Sequence, residues 1–158
     1  MISHVHFLCG DETVGRERFK LKLINSIREL HGNITTESFD METDDFSAFM
    51  ESALTPSLFQ DTRVLQVHRA QRLGDDDLKN LNHLLDAPPP DIYIIIEIDE
   101  EKKGKAEYKA YKKFKIEKRC SSKESDYVFL EFPRPSEYRI GALLVEQLPR
   151  LFNRSISK

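Results

Sequence analysis

The sequence predicts an α/β protein built on a parallel sheet. Three observations point there. Short apolar runs alternate with segments of helical periodicity. The run Ile92 to Ile96 is apolar at every position, as a strand covered on both faces must be. Gly10, Gly32, Pro88 to Pro90 and Pro133 punctuate the ends of these segments.

His4 to Cys9 is the first strand, stopped by Gly10. A helix is expected from about Gly15 to His31, with Phe19, Leu23, Ile27 and Leu30 on one face and Gly32 as its stop. Thr35 to Phe39 reads as a short strand. Thr43 or Asp44 can cap a second helix, whose buried stripe is Phe46, Phe49, Met50, Ala53 and Leu54. Arg63 to Val67 is the third strand. The helix Asp75 to Asp86 opens on three acids, which suits the positive end of its dipole, and Leu78, Leu81, Leu84 and Leu85 form its apolar side. Ile92 to Ile98 is the central strand. A Lys-rich helix is expected over Lys105 to Phe114, a polar loop over Arg119 to Ser125 and a last strand over Tyr127 to Phe132. From Glu137 to Arg154, Ile140, Leu144, Leu148, Leu151 and Phe152 fall on one helical face.

The chain has 158 residues, about one domain by length, and 39% of them are hydrophobic, which suffices for one core. The 24 Lys and Arg residues against 27 Asp and Glu give a formal charge of −3, which excludes a whole-surface electrostatic grip on nucleic acid and leaves only a local patch. Cys9 and Cys120 form no framework or CxxC pair, as expected in a reducing compartment. The amino terminus has no signal-peptide pattern, and the longest apolar run is far short of a membrane span. These features predict a soluble, cytoplasmic protein with no membrane contact.

At the first strand-to-helix junction, Gly10 and Gly15 are spaced as in G-x-x-x-x-G-K-[ST], a loop that cradles phosphates. The next two residues do not fit that chemistry. Arg16 stands where a lysine would reach the phosphates, and Glu17 where a hydroxyl would ligate magnesium. Asp11 and Glu12 add carboxylates inside the loop. Like charges about 4 Å apart repel by roughly 4 kcal/mol at an effective dielectric of 20, more than the ~0.3–1 kcal/mol that a helix amino terminus offers an anion. In the string VLQVHRAQRL, which begins within the third strand, His68 and Arg69 occupy the positions where an ATPase of this architecture has Asp-Glu for metal and attacking water. The pattern reads as a degenerate nucleotide site, or as a nucleotide-binding ATPase-type loop that uses Arg16 in place of lysine.

The order VLQVHRAQRL, a helix of about ten residues, LLDAPPPD and an apolar strand resembles the ATPase module of clamp-loader subunits. A GDE after the first strand, the string Ser57-Leu58-Phe59 before the third, and an Ile-rich strand followed by YKAYKKF are similar to the delta subunits of bacterial DNA polymerase III. The likeness covers roughly residues 4 to 135. It implies a three-layer, AAA+-like domain with a P-loop-type sheet over residues 1–135, and a helix within 136–158 beginning a second, lid domain. It also implies a non-catalytic subunit without cofactor or metal, whose partners are the beta sliding clamp and the gamma/tau and delta-prime types of clamp-loader subunit. Delta subunits insert a Leu-Phe pair into the clamp, which assigns clamp binding to Ser57, Leu58 and Phe59. The loop Arg119 to Ser125 is longer than the family pattern, and a delta subunit continues well beyond 158 residues. The sequence therefore reads as a fragment or a shortened relative.

Read from the residues alone, Leu58 and Phe59 either protrude on a short helix capped by Thr55, with Pro56 at its first position, or continue the core stripe of Leu54. Between Lys102 and Arg119, nine basic residues face two acidic ones and alternate with Tyr108, Tyr111 and Phe114. This is either a weak DNA contact or a solvated helix with its aromatic side on the sheet; the second is expected. His4 and His6 share a strand face at a spacing that can hold a metal, but no further ligand accompanies them. Cys9 is expected to be a buried, inert thiol; Lys118 and Arg119 are expected to lower the pKa of Cys120. Asp99, Glu100 and Glu101 read as surface charge.

Overall fold

The computed structural model describes residues 2–101, 108–121 and 125–134. Strands β1 (Val5–Cys9), β2 (Ile34–Asp40), β3 (Thr62–His68), β4 (Ile92–Ile98) and β5 (Tyr127–Glu131) form one parallel sheet in the order β2-β3-β4-β1-β5. The helices are α1 (Thr13–His31), α2 (Phe46–Leu54), α3 (Asp75–Asp86), α4 (Ala110–Lys113) and α5 (Ile116–Arg119), with a 3-10 turn at Ala70–Arg72.

The strand period of two divides the apolar residues between two cores. Phe7, Leu65, Ile94 and Ile96 face α2 through α5, meeting Phe49, Leu81, Leu85 and Phe114. Leu8, Val64, Tyr93 and Ile95 face α1, meeting Leu23 and Ile27. The described chain thus has the three layers expected of an α/β domain. From β1 the chain leaves through α1 to the β2 edge, and from β4 it crosses β1 to reach β5. The carboxyl ends of β1 and β4 therefore lie at a topological switch point, where open α/β sheets hold their ligands.

Several local expectations are corrected. Leu54 is not core. The buried side of α2 is Phe46, Phe49 and Ala53, and Leu54, one residue further round the helix, is 62% exposed. Leu30 is also exposed, because the buried stripe of α1 ends at Ile27. Asp45, rather than Thr43 or Asp44, takes the N-cap position of α2. Of the Lys-rich helix, residues 102–107 lie outside the described residues; the described part is the short α4, after which Lys115 turns to φ 52° and α5 begins. Phe114 and Ile116 are both buried. Two residues apart, they would point to opposite sides of a continuous helix, so the chain breaks between them. The start of the expected 119–125 loop is accordingly helical. The helix expected over 137–154 lies outside the described residues. Among the described residues, no helix is long and apolar enough to cross a membrane.

Candidate functional site

The loop between β1 and α1 is held by the chain itself. Gly10 has φ +136°, and a Cβ there would lie 2.1 Å from the carbonyl oxygen of Phe132, so only glycine fits beside the exit of β5. The Gly10 amide donates to Ile98 O at 3.0 Å and the Glu12 amide to Phe132 O at 3.0 Å. Glu12 is the N-cap of α1; its carboxylate accepts the amides of Val14 at 3.0 Å and Gly15 at 2.8 Å. A Cβ on Gly15 would lie 2.4 Å from Glu12 Oε2. Four amides of the loop that would cradle a phosphate, those of Gly10, Glu12, Val14 and Gly15, are therefore engaged. The anion at the helix amino terminus, which helix ends favour, is the side chain of Glu12. Asp11 turns the other way and accepts the Arg134 amide at 3.0 Å.

Behind this loop, α1 buries Arg16 and Lys20 in line with Leu23 and Ile27. Both cations meet Glu97, a carboxylate only 1% exposed on the α1 side of β4. Lys20 Nζ lies 3.3 Å and Arg16 Nε 3.6 Å from Glu97 Oε1. Arg16 also donates to Gly10 O at 2.9 Å and pairs with Asp99 at 2.5 Å. His68, at the end of β3, pairs with the same Glu97 carboxylate. Burial pushes the pKa of Glu97 up, but the His68 hydrogen bond and the Lys20 and Arg16 charges outweigh it and hold the group below its ordinary value. The exposed Glu17 pairs with Lys20 at 2.8 Å.

Of the sequence-predicted residues, Arg16 and His68 thus meet at Glu97, with Gly10 bonded to Arg16, Gly15 at the Glu12 cap and Glu17 paired with Lys20 at the rim. Arg69 does not join them. Its backbone is left-handed at φ 54°, and its guanidinium points to the β2 edge, where it pairs with Asp40 and Glu42. That pairing holds the Asp40 carboxyl below its usual range. Sequence reasoning missed Glu97 and Lys20, and took Asp99 and Glu100 for plain surface charge. Asp99 anchors Arg16, and Glu100 accepts the amides of Lys109 and Ala110. One signal was available: Glu97 is a lone carboxylate in an otherwise apolar central strand, which requires buried partners.

Between α2 and β3 the chain makes a turn rather than the expected short helix. Thr55 does not cap a new helix; its hydroxyl donates to Glu51 O at 2.6 Å and closes α2. Ser57 Oγ accepts the amides of Phe59 at 3.3 Å and Asp61 at 3.4 Å, while Gln60 takes φ 55°. On this turn Leu58 is 94% and Phe59 83% exposed. Neither continues the core.

The remaining candidates are accounted for locally. His4 Nδ1 donates to Ile92 O at 2.9 Å, and its ring stacks on Tyr93. His6 is buried near Phe19. Among the described residues, no group of three or more His, Cys, Asp or Glu side chains is placed to hold a metal. Burial pushes the buried Cys9 thiol up to about 12. Cys120 is corrected: burial raises its pKa and outweighs the neighbouring Arg119 charge. Tyr108 and Phe114 turn inward, whereas Lys112, Lys115 and Lys118 line an open groove of about 540 Å³.

A family model described as DNA polymerase III, delta subunit, matches residues 6–122. The chain belongs to this family. The delta-family fold is also visible in solved structures. The DNA clamp loader delta protein of Bacillus subtilis superposes with a TM-score of 0.55 at 17% identity, covering 82% of this chain and 39% of that one. A DNA polymerase III gamma subunit-related protein of Thermotoga maritima superposes at 0.51 with 14% identity, covering 91% of this chain and 48% of that one. The chain thus spans less than half the length of either. No curated protein sequence matches it.

Proposed function

We propose that this chain is the clamp-contacting module of a non-catalytic clamp-loader subunit, with Leu58 and Phe59 as the contact and Ser57 as the residue that shapes their turn. The reading rests on one observation: two adjacent large apolar side chains stand almost fully exposed on a hydrogen-bonded turn. Burying each in a partner's pocket contributes about 1.5–3 kcal/mol, and such a pair at the centre of an interface acts as a hot spot. The partner is the beta sliding clamp, and the chain helps open it by binding the open ring more tightly than the closed one. Residues 1–135 form the clamp-binding domain and 136–158 begin a lid domain. Clamp-loader subunits of the gamma/tau and delta-prime types are its other partners, within the cytoplasmic replication machinery.

The filled loop supports the non-catalytic part. A nucleotide would have to displace the Glu12 carboxylate and draw Arg16 away from Gly10 O and Asp99. Co-elution of the chain with a bacterial sliding clamp on a sizing column tests the function. Replacing Leu58 and Phe59 by alanine is expected to abolish the complex and leave the melting temperature unchanged. A complex that survives this change overturns the reading. Titration with labelled ATP, with and without Mg²⁺, is expected to show no saturable binding.

A further inference from the structure

We propose that Arg63, a buried residue of β3, is a positioning residue for the Leu58–Phe59 turn and holds it in its binding shape before any partner arrives. The proposal rests on the reading of that turn as the contact with the sliding clamp.

The end of α2 needs such a partner. A helix leaves its last four carbonyls without intrahelical donors, and α2 has no basic residue in its last turn. Arg63 supplies both donors and charge from the neighbouring strand. Its side chain faces α2 and is only 10% exposed. Nη1 donates to Ser52 O at 2.7 Å and Nη2 to Thr55 O at 2.9 Å. Asp91 flanks it at 3.6 Å, and the Arg63 amide donates to Asp91 O at 3.0 Å. The planar guanidinium thus spans the last turn of α2 and the first residue beyond it, a fork that lysine cannot reproduce.

Thr55 is where the chain leaves the helix for the turn. From Leu54 to Gln60 every residue but Ser57 is exposed, so the segment has little packing of its own to fix it. Ser57 closes the turn from within, and Arg63 ties its base to the sheet. Without the fork, the turn exchanges among conformations of which only a fraction can dock. Apparent affinity falls by that fraction; a turn competent a tenth of the time binds about tenfold more weakly.

Arg63→Met and Arg63→Lys test this, with a bacterial sliding clamp as the probe. Surface-immobilised clamp gives the association and dissociation rates, and amide hydrogen exchange gives the protection of Phe59 and Asp61. Working well below the melting temperature, with active concentration determined by titration, removes any contribution from unfolded chain. Arg63→Met is expected to slow association about tenfold with dissociation unchanged, and to raise exchange at those two amides while β4 keeps its protection. Arg63→Lys, which retains the charge without the fork, should fall between. Faster exchange with unchanged association overturns the proposal, as does weaker binding with the turn's protection intact. The Leu58→Ala/Phe59→Ala variant separates the two claims. If it still binds, the contact assignment itself fails; if it loses binding while Arg63→Met binds like the parent, only the positioning role fails.

Discussion

The Glu12 carboxylate accepts the Gly15 amide at 2.8 Å and lies 2.4 Å from where a Cβ on Gly15 would be, so any other residue there must displace it. The loop's second glycine is thus explained by an internal anion. Glu12→Ala removes this N-cap and is expected to destabilise the chain by about 0.5–2 kcal/mol, read as a lower urea midpoint at constant slope. Gly15→Ala pushes the same carboxylate aside but gains about 1 kcal/mol of helix propensity, so its midpoint should fall less than that of Glu12→Ala. An unchanged midpoint in Glu12→Ala would show that the cap contributes nothing.

Glu97 and its cations form one buried unit. Glu97→Met leaves Arg16 and Lys20 in the interior without their shared carboxylate and is expected to cost about 3–5 kcal/mol in urea unfolding. Replacing Arg16 and Lys20 by methionine in the same chain should recover most of it, because three apolar side chains need no desolvated charge. Since the folded state holds Glu97 below its ordinary pKa, its contribution is complete above the usual carboxylate range. It is lost as pH falls through the lowered value. The triple variant should therefore lose less stability in acid than the parent.

Apart from β2, the strands were legible because their apolar runs are dense and sharply ended; Ile92–Ile98 needs no context to be read. The buried charges were not. In a helix pattern Arg16 and Lys20 look like solvent-facing polar positions, and the Glu97 that draws Lys20 inward lies 77 residues away along the chain. Leu54 shows the opposite failure, since its apolar character put it on the core stripe while the geometry of α2 leaves it outside. The spacing of Gly10 and Gly15 located the loop but not its occupant. Both Asp11 and Glu12 carry the charge that could cap the helix, and which of them turns inward depends on where β5 ends. The Leu58–Phe59 pair was found by likeness to a family, since its residues alone fitted a core position equally well.

Arg69 is a non-glycine residue at φ 54°, ψ 45°. The left-handed conformation costs a side-chain-bearing residue about 1–2 kcal/mol, and the pairing with Asp40 and Glu42 holds it there. Arg69→Ala loses the pairing and keeps the strain, whereas Arg69→Gly loses the pairing and relieves it. The glycine variant is expected to be more stable than the alanine variant by about 1 kcal/mol in denaturant unfolding. Alanine equal to or better than glycine would mean that the backbone at this position does not need the left-handed region.

His6 gives the chain a pH dependence of defined sign. Burial lowers its pKa from 6.5 to about 4, outweighing the nearby Asp126 charge. The folded state therefore keeps a neutral imidazole through a range in which the unfolded chain takes up a proton. Where the unfolded state binds more protons, stability rises with pH and is lost as acid is added. His6 thus costs nothing above pH 6.5 and progressively destabilises the fold down to about pH 4. At about 1.4 kcal/mol per pH unit, the full loss is on the order of 3 kcal/mol. His6→Phe, which keeps a ring beside Phe19, removes the titrating group. The difference in unfolding free energy between parent and variant, followed from pH 7 to pH 4, should be flat near neutrality and then turn against the parent as acid is added. A difference that stays flat across the whole range would mean that His6 takes up its proton as readily in the folded chain as in the unfolded one.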